Sequence, residues 1–480
     1  ELEFARDRLN DAGRGFYFAG MACGRDAVPS TMYDEYNHST DTPGEKGMRG
    51  LWMALLVIVG SVFTQYTYAE DQAALTEEFT PTLQDGDNPL LTAGKSINAD
   101  TVDEYASWLD ETVAESIRVG NFQVTLGPRQ DFPIHPRYLE ATGDNLGVTE
   151  LGSEPGKLAH YSGGRPFTTL DGKDPQSGIK AAWNMRYTYA PDETETAHFI
   201  WRYRDMRKDK LERTISMYGA ILRYTHRHSH DPIPSLEDNP ADLYSAIYLR
   251  VSSPQDIRNT QLLIHRAEDD TEPEQAWMYL NTQRRVKRIA TGQKTDAFLG
   301  SDIMIEDFLG YNGRIVDMEW TYLGSDELLL PMYGHNELDL EQQEPDKAGY
   351  RDIAFAGKGH CFPEVTWQLR RVHRLEAVPK DPKHPLSRRH YIIDAGTFAP
   401  MVTRIYDRAG NLWKLGLAAA SHSGSHTPEN AGWQGAITDG VSMVDLQADH
   451  CTTLTIKSKM AAKPLRHKSF TTSYLRQMGR

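Results

Sequence analysis

Three histidines stand at alternate positions in Thr225-His226-Arg227-His228-Ser229-His230-Asp231. On a β-strand such residues share one face, and three imidazoles there would suit Zn, Cu or Ni. Metal sites usually draw ligands from separated segments as well. The plainer reading of His226, His228 and His230 is therefore an exposed strand end before Asp231-Pro232-Ile233-Pro234. His422 and His426 form a weaker pair in a loop-like stretch. A second constellation is Arg284-Arg285, reached from Trp277-Met278-Tyr279-Leu280 through a turn and followed by Asp302 and Asp307. Arginine matches a carboxylate through two parallel hydrogen bonds, so these four residues read as structural ion pairs between neighbouring strands. Nucleophilic catalysis has no anchor: no Gly-x-Ser-x-Gly elbow, recognised cysteine pattern, phosphate loop or dinucleotide fingerprint occurs. The expected protein is not an enzyme and carries no cofactor.

These residues need elements to hold them. Short segments rich in aromatic and β-branched residues run from about Ala197 onward: 198–203, 246–251, 259–266, 276–280, 315–323, 365–375, 389–394, 401–406 and 412–415. Asp407-Arg408-Ala409-Gly410-Asn411 is a hairpin turn between the last two. Many such strands with short turns predict a mainly β fold, a large antiparallel sheet that is curled or barrel-like. Upstream, Val102, Tyr105, Leu109, Val113 and Ile117 recur at helical spacing, predicting one helix from Asn98 capped by Asp100 or Thr101 and ending at Gly120.

The chain of 480 residues holds 52 Lys and Arg against 67 Asp and Glu, a net charge of −15. Phosphate neutralisation needs clustered cations, so nucleic acid is excluded as a partner, and general adhesion to an anionic membrane is disfavoured. Lys46 and Arg49 precede an apolar run from Leu51 to Phe63, and Thr67-Tyr68-Ala69 supplies small residues before Glu70. The run is short of the roughly 20 residues that span a bilayer, and reads as an export signal at 48–69 cleaved near Ala69. On that reading 1–47 is an upstream extension foreign to the natural protein. Residues 70–97 form an extended lead-in, 98–480 a single β domain with an N-terminal helix, and the location is the periplasm. Cys361 and Cys451 could pair in that oxidising compartment or stand as two separate buried thiols.

Several dispersed, collinear motifs resemble one family. They include Trp277-Met278-Tyr279-Leu280 with Arg284-Arg285-Val286, Glu306-Asp307-Phe308, Glu319-Trp320, Pro331-Met332-Tyr333 and Tyr406-Asp407-Arg408-Ala409-Gly410-Asn411-Leu412-Trp413. Upstream, Gly163-Gly164-Arg165-Pro166-Phe167 and Gly178-Ile179-Lys180-Ala181-Ala182-Trp183-Asn184 fit as well. The chain resembles the bacterial domain-of-unknown-function family 1329, described as outer-membrane lipoprotein-sorting-protein-like. The resemblance implies a LolA/LolB-like half-open β-barrel with covering helices, holding a lipid or other hydrophobic ligand. It also implies work beside an inner-membrane efflux-type transporter and an outer-membrane protein. Trp277, Tyr279, Trp320, Trp367 and Trp413 are the candidate cavity aromatics, and the helix from Asn98 the candidate lid. Alternatives are an envelope scaffold or docking protein and a metal-dependent hydrolase built on the His226-His228-His230 cluster.

Overall fold

Alternating apolar residues organise most of the chain into a sixteen-stranded sheet, thirteen of whose strands form one antiparallel path. The computed structural model describes residues 88–188, 190–335, 350–460 and 463–479. The expected extension at 1–47, the export signal at 48–69 and most of the lead-in lie outside the described residues. All described residues fall within one unit, Tyr66–Arg480, and among them no helix is long and apolar enough to cross a membrane.

Three helices precede the long strands: α1 (Glu111–Arg118), α2 (Pro136–Asp144) and α3 (Ser177–Arg186). The strands are β1 (Glu193–Asp205), β2 (Lys210–Arg223), β3 (Leu243–Ser253), β4 (Gln261–Ala267), β5 (Gln275–Leu280) and β6 (Arg285–Ile289). After an irregular crossing at 291–317 come β7 (Met318–Leu330), β8 (Thr366–Pro379), β9 (Leu386–Asp394) and β10 (Pro400–Asp407). Strands β11 (Leu412–His422), β12 (Ala436–Asp445) and β13 (His450–Met460) follow, then α4 (Thr472–Met478).

Each half is a meander, β1 to β6 and β7 to β13, and the two are joined where β13 lies antiparallel to β1, His450 opposite Asp205 and Met460 opposite Thr194. The sheet is not closed: β6 and β7 end the antiparallel path. Two short parallel additions, Val124–Leu126 on β8 and Met332–Tyr333 on β11, make it mixed. The expected turn forms as predicted, with the Asp407 amide donating to the Asn411 carbonyl and Gly410 at φ 86°.

The single helix expected from Asn98 is broken. Val102–Trp108 is a 3₁₀ segment, Leu109 is extended, and α1 starts afresh because the Asp110 carboxylate accepts from the Thr112 and Val113 amides. An aspartate at that position satisfies orphan donors only if the helix begins after it. Nor is this region an open lid: Val113, Ala114 and Ile117 are buried with Trp367, Val372 and Val402 on one face of the sheet.

The opposite face is the inner one. Register places Ile405 and Arg389 there with Thr403, Lys414, Met443 and Thr452, and carries the row on through Tyr203, Trp201, Ile215, Met217, Val251 and Leu262. Seven strand spacings of about 4.8 Å separate β10 from β4 along the sheet. Ile405 and Ile264 nevertheless belong to one apolar cluster with Phe298, Ile303, Met304 and Ile305, as a sheet curled around the 291–317 segment requires.

Candidate functional site

The inner face meets the requirements of an apolar binding surface, and residues 291–317 cross it as a strap. Phe298 and Phe308 pack edge-on against Trp201, at 5.7 and 6.2 Å between ring centroids. The strap bears two Leu-Gly pairs in left-handed conformation, Leu299-Gly300 and Leu309-Gly310, with φ of 52°, 79°, 55° and 89°. Glycine accepts that region without strain and leucine does not, so tertiary contacts must hold both bends. At Gly310 there is no alternative, because a Cβ would lie 2.2 Å from the Pro400 ring.

The ionic contacts reach strands far apart in sequence, with His384 of a turn and Lys294 of the strap itself joining them. Glu306 is buried against Arg389 at 2.9 Å and against His384 and Lys294 at 3.1 Å each. Burial would raise its pKa, but Arg389, His384 and Lys294 together hold the carboxyl well below the usual range. Arg389 also donates to Asp307 at 2.9 Å. Asp302 accepts from Thr452 Oγ1 at 2.7 Å and pairs with His450 at 2.8 Å, and its carbonyl accepts from Lys414 Nζ. The Asp302 hydrogen bond raises the His450 pKa, with burial opposing. One strap is thus fastened to β9, β11 and β13.

Beyond the strap the inner wall stays half-open. Val441, Ile456, Phe199 and Ile221 lie on neighbouring strands and the same face, each only partly buried. Ile456 sits opposite Phe199, and Phe199 opposite Met217. Gly219 forms the floor between them, where a Cβ would come within 3.2 Å of Leu249 and 3.7 Å of Phe199. A contiguous apolar surface left partly wet is unusual in a protein that does not bind something there. A second recess, of about 420 Å³, lies on the other face between α1 and the β10–β11 turn, lined by Val119, Tyr406, Leu412 and Leu446 with Glu111 and Glu115.

A family model described as "Protein of unknown function (DUF1329)" matches residues 96–476. The chain belongs to the DUF1329 family. It is 26% identical over 309 residues to Uncharacterized protein PA3922 of Pseudomonas aeruginosa, a match covering 61% of this chain and 60% of that protein. Among solved structures, a DUF1329 family protein from Desulfovibrio piger is 15% identical with a TM-score of 0.43, covering 63% of this chain and 100% of that one. The LolA superfamily protein NE2245 from Nitrosomonas europaea is 12% identical with a TM-score of 0.35, covering 62% and 98%.

This DUF1329 chain disperses the aromatics read from its sequence. Trp277 and Tyr279 lie together on the outer face under the C-terminal segment, Tyr279 donating to the Gly479 carbonyl at 2.9 Å. Trp320 packs beside α3, Trp367 under α1, and Trp413 at the margin of the inner cluster, donating to Asp445 at 2.7 Å. Asp302 and Asp307 do form structural ion pairs, but with His450 and Arg389. Arg284 and Arg285 are exposed on the hairpin instead. Cys361 and Cys451 are joined by a disulfide.

The three histidines do not converge. His226 has φ 54°, which breaks the strand alternation that would have aligned them. It pairs with Glu268 at 2.6 Å, while His228 lies buried 3.6 Å from Asp192 and edge-on to Tyr138. His230 contacts Ser229 Oγ at 2.9 Å. Among the described residues no group of His, Cys, Asp or Glu has metal-binding geometry. The residues missed by sequence reasoning are those of the wall and strap, apart from Asp302 and Asp307. Phe199, Trp201 and Tyr203 carried a usable signal, sharing a face at two-residue spacing.

Proposed function

We propose that this protein is a non-enzymatic carrier or binding protein for a lipid or other hydrophobic ligand, held against the inner face of the sheet. The half-exposed row of Phe199, Ile221, Val441 and Ile456 beside a strap-covered apolar cluster carries the reading. An acyl chain laid on that row gains burial at each contact without meeting a charge, and displacement of the strap would extend the groove toward Trp201. The carrier works in the periplasm after export, between an inner-membrane efflux-type transporter and an outer-membrane acceptor.

Trp201 is a built-in reporter, buried between Phe199, Phe298 and Phe308. Brominated fatty acid should quench its emission, measured as the difference between the natural chain and Trp201→Phe. Phe199→Glu and Ile221→Glu, at partly exposed positions, should weaken binding at least about tenfold by placing a charge in the apolar groove. Native mass spectrometry of the purified protein, with solvent extraction of what it carries, identifies the cargo class. An empty protein that takes up no acyl or hydrophobic probe defeats the carrier reading and leaves the scaffold.

A further inference from the structure

The net charge of −15 conceals a segregated distribution. Residues 284–288 read Arg-Arg-Val-Lys-Arg, and no acidic residue occurs anywhere in 276–295. Residues 463–480 likewise contain no Asp or Glu, but do contain Lys463, Arg466, Lys468 and Arg476. The fold brings these two stretches together. The C-terminal segment crosses the outer face of β3 to β6, where Val286, Leu465, Tyr474 and Leu475 share one apolar cluster. Gln261 donates to the Leu475 carbonyl at 3.0 Å and His265 to the Phe470 carbonyl at 2.7 Å, fixing the segment in place.

All eight cations, Arg284, Arg285, Lys287, Arg288, Lys463, Arg466, Lys468 and Arg476, are exposed. Elsewhere surface cations are commonly paired, as Arg207 is with Asp449, Arg213 with Asp256 and Lys157 with Asp269. Among the described residues none of these eight has an ion-pair partner. Holding four like charges within residues 284–288 costs free energy through mutual repulsion, and an anionic partner would relieve it.

We propose that this basic edge, formed by the β5–β6 hairpin at the end of the sheet and the C-terminal segment beside it, docks the protein on a membrane surface bearing anionic phospholipid headgroups. The geometry favours a surface over an acidic peptide. A peptide added to the free edge of β6 would need side-chain pockets at alternate positions. Instead Lys287 and Arg288 flank that edge from opposite faces of the strand, and further cations lie on a separate segment, so the sheet would meet a lipid plane edge-on rather than clasp one extended peptide. The inference goes beyond the carrier reading and does not depend on it, because docking is measurable without cargo.

The test is flotation of the full chain with vesicles of phosphatidylcholine, alone or containing one-third phosphatidylglycerol, at low and physiological salt. Binding to neutral vesicles measures any contribution of the apolar run at 51–63 and is subtracted. Each Lys or Arg near an anionic surface is worth about fivefold in partitioning. The quadruple variant Arg284→Glu/Arg285→Glu/Lys287→Glu/Arg288→Glu should therefore lose on the order of 100-fold or more. Lys463→Glu/Arg466→Glu/Lys468→Glu tests the other half independently should the hairpin variant misfold. Lys173→Glu/Lys383→Glu/Arg408→Glu, reversing exposed cations elsewhere, should lose far less. No selective binding to phosphatidylglycerol overturns the proposal, as does equal loss in the control variant. Capture of soluble polyglutamate but not vesicles through the same cations overturns it in favour of an acidic protein partner.

Discussion

Replacing Arg389 by Met should weaken the fold and strengthen ligand binding together. The Arg389 side chain is 1% exposed and holds both Glu306 and Asp307 of the strap. Methionine nearly matches its length but carries no charge. Removing one partner of a buried pair typically costs about 3–5 kcal/mol, because the remaining charge is uncompensated. Glu306 keeps His384 and Lys294, so the expected loss lies near the lower end, about 3 kcal/mol. Most of that loss falls on the strap-closed form, since the orphaned carboxylates can reach water once the strap lifts. If ligand must displace the strap, closure reduces the competent fraction and apparent affinity falls with it. Relieving about 3 kcal/mol of closure tightens apparent affinity by on the order of 100-fold. Titration with a hydrophobic fluorophore, alongside a urea midpoint, reads both quantities. A lower midpoint with unchanged affinity would refute the strap as a gate, leaving it as core. A double-mutant cycle with Glu306→Gln, which removes the stranded charge, should recover part of the stability.

Three further outcomes follow from the same geometry. The Cys361–Cys451 disulfide closes a sequence separation of 90; Cys361→Ala/Cys451→Ala should cost about 4 kcal/mol, and dithiothreitol should shift the urea midpoint of the natural chain but not of the variant. Burial lowers the His228 pKa to about 3, with Asp192 opposing. The unfolded chain therefore takes a proton near pH 6.5 that the folded chain refuses, and stability falls as pH drops from 6.5 toward 3. Between pH 7 and 5 this amounts to about 2 kcal/mol, a slope that should vanish from the urea-midpoint profile of His228→Gln. Gly178 lets α3 approach β7, since a Cβ there would sit 2.1 Å from the Trp320 carbonyl oxygen; Gly178→Ala should cost about 2 kcal/mol, seen as a lower melting temperature.

What the sequence discloses depends on the range over which the interaction acts. The turn at Asp407–Asn411 and the strands around Trp201, Ile247 and Ile392 follow from local alternation and turn chemistry, and all form. Strand β12 escapes the same reading because its Asp439 is fully buried, accepting from Tyr333 and facing His426 and His335. Alternation marks such a residue as solvent-facing. The break before α1 is hidden because an aspartate fits a helix interior and an N-cap alike. The strap's partners are the least legible, since Asp302 meets His450 across a separation of 148 and Asp307 meets Arg389 across 82. Nothing local distinguishes those partners from Arg284 and Arg285, which stand nearer in sequence.

The pairing of β13 with β1 also sets the order in which the molecule can be completed. Strand β1 is finished at Asp205, yet its partner begins at His450. Ribosomes add about 5–20 residues per second, so the outer edge of β1 waits on the order of ten seconds to a minute for its mate. Throughout that interval the first meander offers an unsatisfied row of amides and carbonyls beside Phe199 and Trp201, a template for association with other nascent chains. A chain of this topology has good reason to be escorted while it is synthesised, and to be held unfolded until its last strands have emerged.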